Sequence, residues 1–307
     1  MKFLITGANG DIARSICRII KNHYKKSIVD GTDVIEKGPG EYLYNKIHKV
    51  SLPNNRKYLD KIKKISINYN IIIPTTENEI SFFSRNTKHF KKKLILINSE
   101  KIIKNFSSKL KTYEFLKKNS FGVPNFCFKL GKLKKFNKPF FIKKNFGYGN
   151  KNYKLINSKK KFVDLKKINK KNWIVQEYIN YGYDEYTCAI IKLETFTDVI
   201  ILNRRLDKGY TYYAEVVKNN YLKNILLRLA KIIPLNGSIN VQLKISKKRY
   251  AIFEINPRLS STVMMRHKLG FKDCLWWINY VLKKQIPKSN YKIKNNKIIK
   301  FFDEKFI

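Results

Sequence analysis

Cysteine is scarce in this chain and never closely paired: Cys17, Cys127, Cys188 and Cys274 are its only four, with no C-x-x-C spacing. That excludes a cysteine-ligated zinc site or a redox dithiol and fits a reducing compartment. The four histidines, His23, His48, His89 and His267, have no ligand spacing either. No run of about 18 consecutive apolar residues occurs, so no membrane span is expected. The opening MKFLITGANG runs straight into a strand-like segment without a cleavable apolar core, and the sequence therefore predicts a soluble, cytoplasmic protein. Acidic residues are few, 22 against 65 basic ones, a net charge of +43. Arginine is scarce within that basic majority, 10 residues against 55 lysines spread along the whole chain. With abundant Asn and Ile, this scatter reads as compositional drift with solvated lysines, because nucleic-acid readers concentrate arginine and stacking aromatics on one element. No specific nucleic-acid partner is expected, only salt-sensitive adhesion to polyanions.

What is present suffices for a substantial core: 307 residues, 43% hydrophobic and 14% aromatic, enough for about two domains. Lys2 to Thr6 reads as a buried strand, Gly7-Ala8-Asn9-Gly10 as a turn, and Ile12, Ile16, Ile19 and Ile20 as the apolar face of a helix. Further apolar runs at Ser27 to Val29, Ile71 to Ile73 and Leu94 to Ile97, with a helix over Tyr58 to Ile67, complete a small doubly wound parallel α/β unit over residues 1–99. An amphipathic helix over Ser107 to Asn119 ends at Gly122-Val123-Pro124. Beyond it the texture becomes β-rich, with strands at Pro139 to Lys144, Trp173 to Tyr178, Tyr186 to Lys192, Asp198 to Arg204, Ile239 to Ile245 and Tyr250 to Asn256. Helices are expected at Tyr221 to Ile233 and Asp273 to Leu282, and residues 286–307 form a basic tail.

The first glycine turn has two readings. It could bring a helix N-terminus to a pyrophosphate, as in short-chain dehydrogenases, or be a structural turn without ligand. The Tyr-x-x-x-Lys pairs that such reductases need occur at Tyr42/Lys46, Tyr113/Lys117 and Tyr280/Lys284, about as often as chance places them in so lysine-rich a chain. The most informative stretch is Gly237 to Arg258, a hairpin turning near Lys247. With Ser246 facing Tyr250 across a three-residue loop, Asn240, Gln242, Glu254 and Asn256 share one face, opposite an apolar face of Val241, Leu243, Ile245, Ala251, Phe253 and Ile255. Oxygen donors on such a face suit a hard divalent cation such as magnesium, against the alternative of a half-exposed polar sheet face. A second cluster, Pro139 to Lys151, carries Lys143 on a strand into a loop with Gly147 and Gly149, where backbone N–H groups can approach phosphate oxygens. A third, Trp173 to Ile179 followed by Glu185, could hold a purine and its ribose hydroxyls or be an ordinary strand and turn.

In this order and spacing the motifs resemble the ATP-grasp superfamily, in its branch similar to the carbamoyl phosphate synthetase large subunit and to single-chain carboxylate-amine ligases. The strongest elements are Asn240-Val-Gln242 and Ile252-Phe-Glu-Ile-Asn-Pro-Arg258, and Pro74-Thr-Thr-Glu-Asn-Glu79 and Ser108-Lys109-x-x-Thr112 look like the family's domain-junction signatures. The resemblance implies an N-terminal Rossmann-like pre-ATP-grasp domain (1–99). It also implies an ATP-grasp α+β domain with antiparallel sheets (100–285) and a lid over about residues 125–178. The implied substrates are ATP with two magnesium ions (or manganese), a small-molecule carboxylate and an amine joined through an acyl-phosphate. On the same resemblance Lys109 and Lys143 contact phosphates beneath a lid at Gly147 to Lys151 that includes Gly149. Glu177, Tyr178 and Ile179 line the adenine pocket, and Glu185 binds ribose. Gln242, Glu254 and Asn256 hold metal, Arg258 stabilises the transferring group, and Arg205 is a candidate contact for the acid. Ser108 and Cys188 stand where the family often has Asp, and Ser260-Ser261-Thr262 where it has small residues or glycines. The alternatives are a non-enzymatic nucleotide- or nucleic-acid-binding scaffold and an NAD(P)-dependent reductase.

Overall fold

The structure, a computed structural model, describes residues 1–127, 139–147, 153–157, 172–179, 184–207, 209–246, 249–287 and 296–301. The elements begin with β1 (Lys2–Thr6), α1 (Asp11–His23), β2 (Ile28–Asp33), β3 (Ile47–Lys49), α2 (Lys57–Ser66), β4 (Ile71–Ile73), α3 (Glu77–Arg85), β5 (Leu94–Ile95), α4 (Glu100–Phe106) and α5 (Lys109–Lys118). They continue with β6 (Phe126–Cys127), β7 (Phe140–Lys144), β8 (Tyr153–Ile156), β9 (Trp173–Glu177), β10 (Asp184–Leu193), β11 (Phe196–Asp207) and β12 (Tyr210–Val216). The last are α6 (Asn220–Ile232), β13 (Gly237–Ile245), β14 (Tyr250–Asn256), α7 (Val263–Leu269), α8 (Asp273–Lys283) and β15 (Lys297–Ile299). The fold is mixed α/β, an N-terminal parallel sheet followed by antiparallel sheets, as the sequence predicts. No helix among the described residues is long and apolar enough to cross a membrane.

Two compact units are present, residues 1–103 with 188–240 and 257–307, and residues 104–187 with 241–256. In the first, five parallel strands run in the order β3-β2-β1-β4-β5. Strand alternation sorts β1 between two cores: Phe3 and Ile5 join Val29, Ile71, Ile73 and the inner face of α1, while Leu4 joins Tyr58, Ile62, Ile72 and Phe83. A sheet covered on both faces explains why β1 and β4 read as continuous apolar runs. The N-terminal glycine turn is filled by its own chain. Asn9 donates to Ile35 O (2.8 Å) and accepts from Gly40 N (3.0 Å), and a Cβ at Gly40 would lie 2.7 Å from Ala8 O. This close approach gives the turn a structural role and favours that reading over a dinucleotide site.

A six-stranded sheet has the order β14-β13-β10-β11-β12-β15, and a four-stranded antiparallel sheet in the second unit has the order β6-β9-β7-β8. The segment expected to be a bare tail contributes β15, whose residues Lys297, Ile298 and Ile299 pair with Glu215, Ala214 and Tyr213 of β12. Lys300 then grips both carboxylate oxygens of Asp11 at 2.6 Å. Three residues are too few for a strand to announce itself by alternation, and the pairing partner lies about 80 residues earlier in the chain.

Candidate functional site

Within the second unit, α5 and β7 fix the first two basic residues. Ser108 caps α5, its hydroxyl accepting from Lys111 N (3.3 Å) and donating to Asn145 Oδ1 (3.0 Å). Asn145 Oδ1 also accepts from Leu110 N, and Asn145 O accepts from Lys109 N. Ser therefore does the capping that Asp would do at this place, and Asn145 ties the glycine loop to the helix start. The Lys109 ammonium donates to Gly147 O at 2.8 Å. Gly147 has φ +118°, a backbone conformation that favours glycine. Gly149 and the rest of the expected lid up to Lys151 lie outside the described residues.

Lys143 is carried inward by β7, between the flanking strands β9 and β8. Its Nζ lies 5.0 Å from the Phe141 ring centroid and 5.8 Å from that of Phe253. Burial pushes its pKa down to about 8, against the pull of Glu254; Lys109 lowers it further, Glu185 opposes and Lys244 adds to the fall. Four charged side chains, from α5, β10, β13 and β14, therefore act on this half-buried ammonium of β7. A group desolvated in this way gains strongly from an added anion.

The hairpin supplies the oxygen donors. Gln242 and Glu254 are half-buried and Asn256 is buried. Across the turn of the hairpin Ser246 N donates to Arg249 O (2.8 Å). The even-numbered alternation along β13 places Gln242 and Lys244 on one face, and Lys244 Nζ lies 3.6 Å from Glu185 Oε2. Tyr113 braces β14 from α5, its hydroxyl lying within hydrogen-bond distance of both Phe253 O (2.8 Å) and Gln176 Oε1 (2.7 Å). Among the described residues no group of three His, Cys, Asp or Glu side chains could hold a metal. The set Gln242, Glu254 and Asn256 has a single carboxylate among hard oxygen donors. That chemistry fits magnesium arriving with nucleotide phosphates, in contrast to a resident ion in a carboxylate cage.

The remaining expectations meet different surroundings. The Glu177 carboxylate is held by Arg249 and by Asn125 N (3.0 Å), so its side chain fastens β9 to the hairpin loop and the β6 approach. Tyr178 packs edge-on to Phe141, and Ile179 is buried. In the first unit, Arg205 is exposed on β11, its guanidinium 5.4 Å from the ring of its cross-strand partner Tyr213. Arg258, also in that unit, donates to Glu77 Oε1 (3.2 Å) and Leu259 O (2.9 Å), while its buried Nε has no partner among the described residues. The structure thus gathers Lys109, Lys143, Gly147, Glu185 and Glu254 within one unit, and gives Glu177 and Arg258 protein partners. Asn145, Arg249, Lys244 and Glu77 were missed as partners from the sequence, since each meets its target across 30 or more intervening residues.

Comparison with known proteins places the fold. A curated relative from Mycoplasma pneumoniae (strain ATCC 29342 / M129), an uncharacterized MG011 homolog, is 31% identical over 155 residues, 47% of this chain and 52% of the relative. The chain thus spans about half the length of that relative. The ADP complex of an N5-carboxyaminoimidazole ribonucleotide synthetase superposes with a TM-score of 0.76 at 13% identity, covering 96% of this chain and 79% of that one. The biotin carboxylase domain of Hydrogenobacter thermophilus 2-oxoglutarate carboxylase, solved with MgADP, ADP and bicarbonate, gives 0.72 at 12% identity, covering 96% and 72%. At such identities the likeness shows the fold. Residues 106–262 match the ATP-grasp domain family, just over half of the chain, and the protein belongs to that family.

Proposed function

We propose that the protein is an ATP- and magnesium-dependent ligase that activates a carboxylate as an acyl-phosphate for attack by an amine. The observation that carries this reading is the half-buried Lys143 ammonium, on whose charge Glu254, Lys109, Glu185 and Lys244 all act, with Lys109 bonded to Gly147 O. Lys109 and Lys143 bind the nucleotide phosphates, with Lys109 linking them to the Gly147 loop. Glu185 takes the ribose hydroxyls, and the chain from Glu177 to Ile179 lines the base. Gln242, Glu254 and Asn256 would hold magnesium, which would supply neutralisation of charge on the transferred group. A carboxylate oxygen of the acid attacks the γ-phosphorus and ADP leaves; the amine then attacks the acyl carbon and phosphate leaves. Water would hydrolyse the acyl-phosphate, so the glycine loop at Gly147 and Gly149 serves to exclude it. Arg258 offers a planar fork to the transferring group, and Arg205 is the lesser candidate for holding the acid. Bicarbonate, found with the Hydrogenobacter thermophilus relative, heads the acids to test.

The reading is tested by calorimetric ATP titration and by ADP release across a panel of acids, bicarbonate included, with and without amines. Acid-dependent ADP release supports it; tight ATP binding without release by any acid supports a nucleotide-binding scaffold in its place. Arg258 distinguishes the two further. An Arg258→Lys variant is expected to lose on the order of 10²-fold in kcat with ATP affinity within about twofold, because Lys keeps the charge but not the bidentate geometry. Equal losses in affinity and turnover would make Arg258 a ground-state nucleotide contact.

A further inference from the structure

The turn after Asn256-Pro257-Arg258 is gripped by a buried charge pair. Arg266 and Asp273 are essentially inaccessible to solvent, and every nitrogen of the Arg266 guanidinium is in use. Its Nε and Nη2 donate to the two Asp273 oxygens at 2.9 and 2.8 Å, and its Nη1 donates to Ser260 Oγ (2.8 Å) and Thr262 Oγ1 (2.9 Å). The two hydroxyls lie 2.9 Å apart, and Ser238 Oγ donates to the second Asp273 oxygen at 2.8 Å. From the other side Asn98 Nδ2 donates to Pro257 O (3.0 Å) and to Ser238 O (2.9 Å). Residues 257–262 are therefore held at positions 257, 260 and 262, and Arg258 stands inside that grip.

Burying a full ion pair has a heavy desolvation cost, and well-packed apolar residues often stabilise a fold as well or better. A fully satisfied buried network specifies one geometry instead. The hydroxyls it uses, Ser260 and Thr262, occupy the stretch where the resemblance leads one to expect glycines or other small residues, which present nothing for an arginine to hold. We infer that Arg266, backed by Asp273, is a positioning residue that sets the direction of Arg258 by fixing the 257–262 turn. This rests on the role proposed above for Arg258.

The test compares two double variants with the wild type. Ser260→Ala/Thr262→Val removes the grip but leaves the charge pair, and Arg266→Met/Asp273→Leu removes the pair while keeping its volume. For each folded variant, ATP affinity, acid-dependent kcat and hydrogen exchange of the 258–262 amides are measured. The expected result is a kcat at least tenfold lower, an ATP Kd within twofold, and exchange at least tenfold faster across that segment alone. A folded variant that keeps wild-type kcat, or loses kcat with the segment's exchange unchanged, overturns the inference. A wild-type protein without acid-dependent ADP release contradicts the ligase reading alone, and the exchange comparison then decides whether Arg266 holds the turn.

Discussion

Replacing Glu254 with alanine is expected to lower magnesium-dependent ATP turnover by about 10³-fold or more in a protein that remains folded. Glu254 is the only carboxylate of the donor set on β13 and β14, so its loss leaves two neutral amides. Losing one charged ligand at a metal-assisted phosphoryl transfer is worth several kcal/mol of transition-state stabilisation, and about 4 kcal/mol is a factor of about 10³. The carboxylate also offsets the half-buried Lys143 ammonium, being the largest favourable influence on its charge. Its removal therefore disturbs metal and phosphate binding together. Steady-state ADP release and thermal melting of Glu254→Ala and Glu254→Gln check this. Glu254→Gln retains the shape and an oxygen donor without the charge and should lie nearly as low. Wild-type turnover by folded Glu254→Ala would remove the metal assignment.

Lys143→Met carries the second large effect, and it has two signs. The ammonium is depressed from 10.5 to about 8. Below about pH 8 both folded and unfolded chains hold the proton, and the folded state bears the whole cost of burying the charge. Between about 8 and 10.5 the unfolded chain binds more protons than the folded one, so stability rises with pH and the cost is gone above that window. The depression corresponds to about 3 kcal/mol at neutral pH. Lys143→Met removes this cost and keeps an unbranched apolar stem, so its Tm at pH 7 should rise by several degrees while ATP affinity falls by about 10²-fold or more. Exposed Lys64→Met is the control, with neither effect expected. In the wild type, ATP affinity should weaken as pH rises through about 8, and in Lys143→Arg it should stay level over the same range. Lower stability in Lys143→Met, or equal ATP losses at Lys64 and Lys143, would mean that only the diffuse +43 field acts on the nucleotide.

The N-terminal sheet was readable because β1, β4 and α1 carry their burial in the sequence itself, continuous for the strands and at helical spacing for Ile12, Ile16, Ile19 and Ile20. Strand β3 was not, since its three residues, Ile47, His48 and Lys49, lie at a sheet edge with no buried side chain among them. Helix α3 had a usable signal that went unread: Thr76 caps it and Glu79 returns to the Thr76 hydroxyl at 2.7 Å, three residues apart, just before Ile80, Phe82 and Phe83. Strand β12 likewise had a run of tyrosines and threonine, which favour strands, directly after Gly209, and that signal also went unread. At the candidate site, Gln242, Glu254 and Asn256 stood out on a hairpin face whose one lysine outside the loop is Lys244, in a chain otherwise rich in lysine. The partners of Glu177 and Arg258 could not be read, because Arg249 and Glu77 lie 72 and 181 residues away along the chain. Arg266 looked like one more basic residue among 65; only the structure shows that it is enclosed.

The most direct test of the account follows oxygen. An acid that supports ADP release is supplied with both carboxylate oxygens as ¹⁸O, together with its amine, ATP and magnesium, and the released inorganic phosphate is weighed by mass spectrometry. Activation through an acyl-phosphate predicts one ¹⁸O atom in each phosphate and an amide that has lost one. Phosphate carrying no label, with ADP still formed, would show that the γ-phosphoryl group goes to water or another acceptor and would contradict carboxylate activation by this chain.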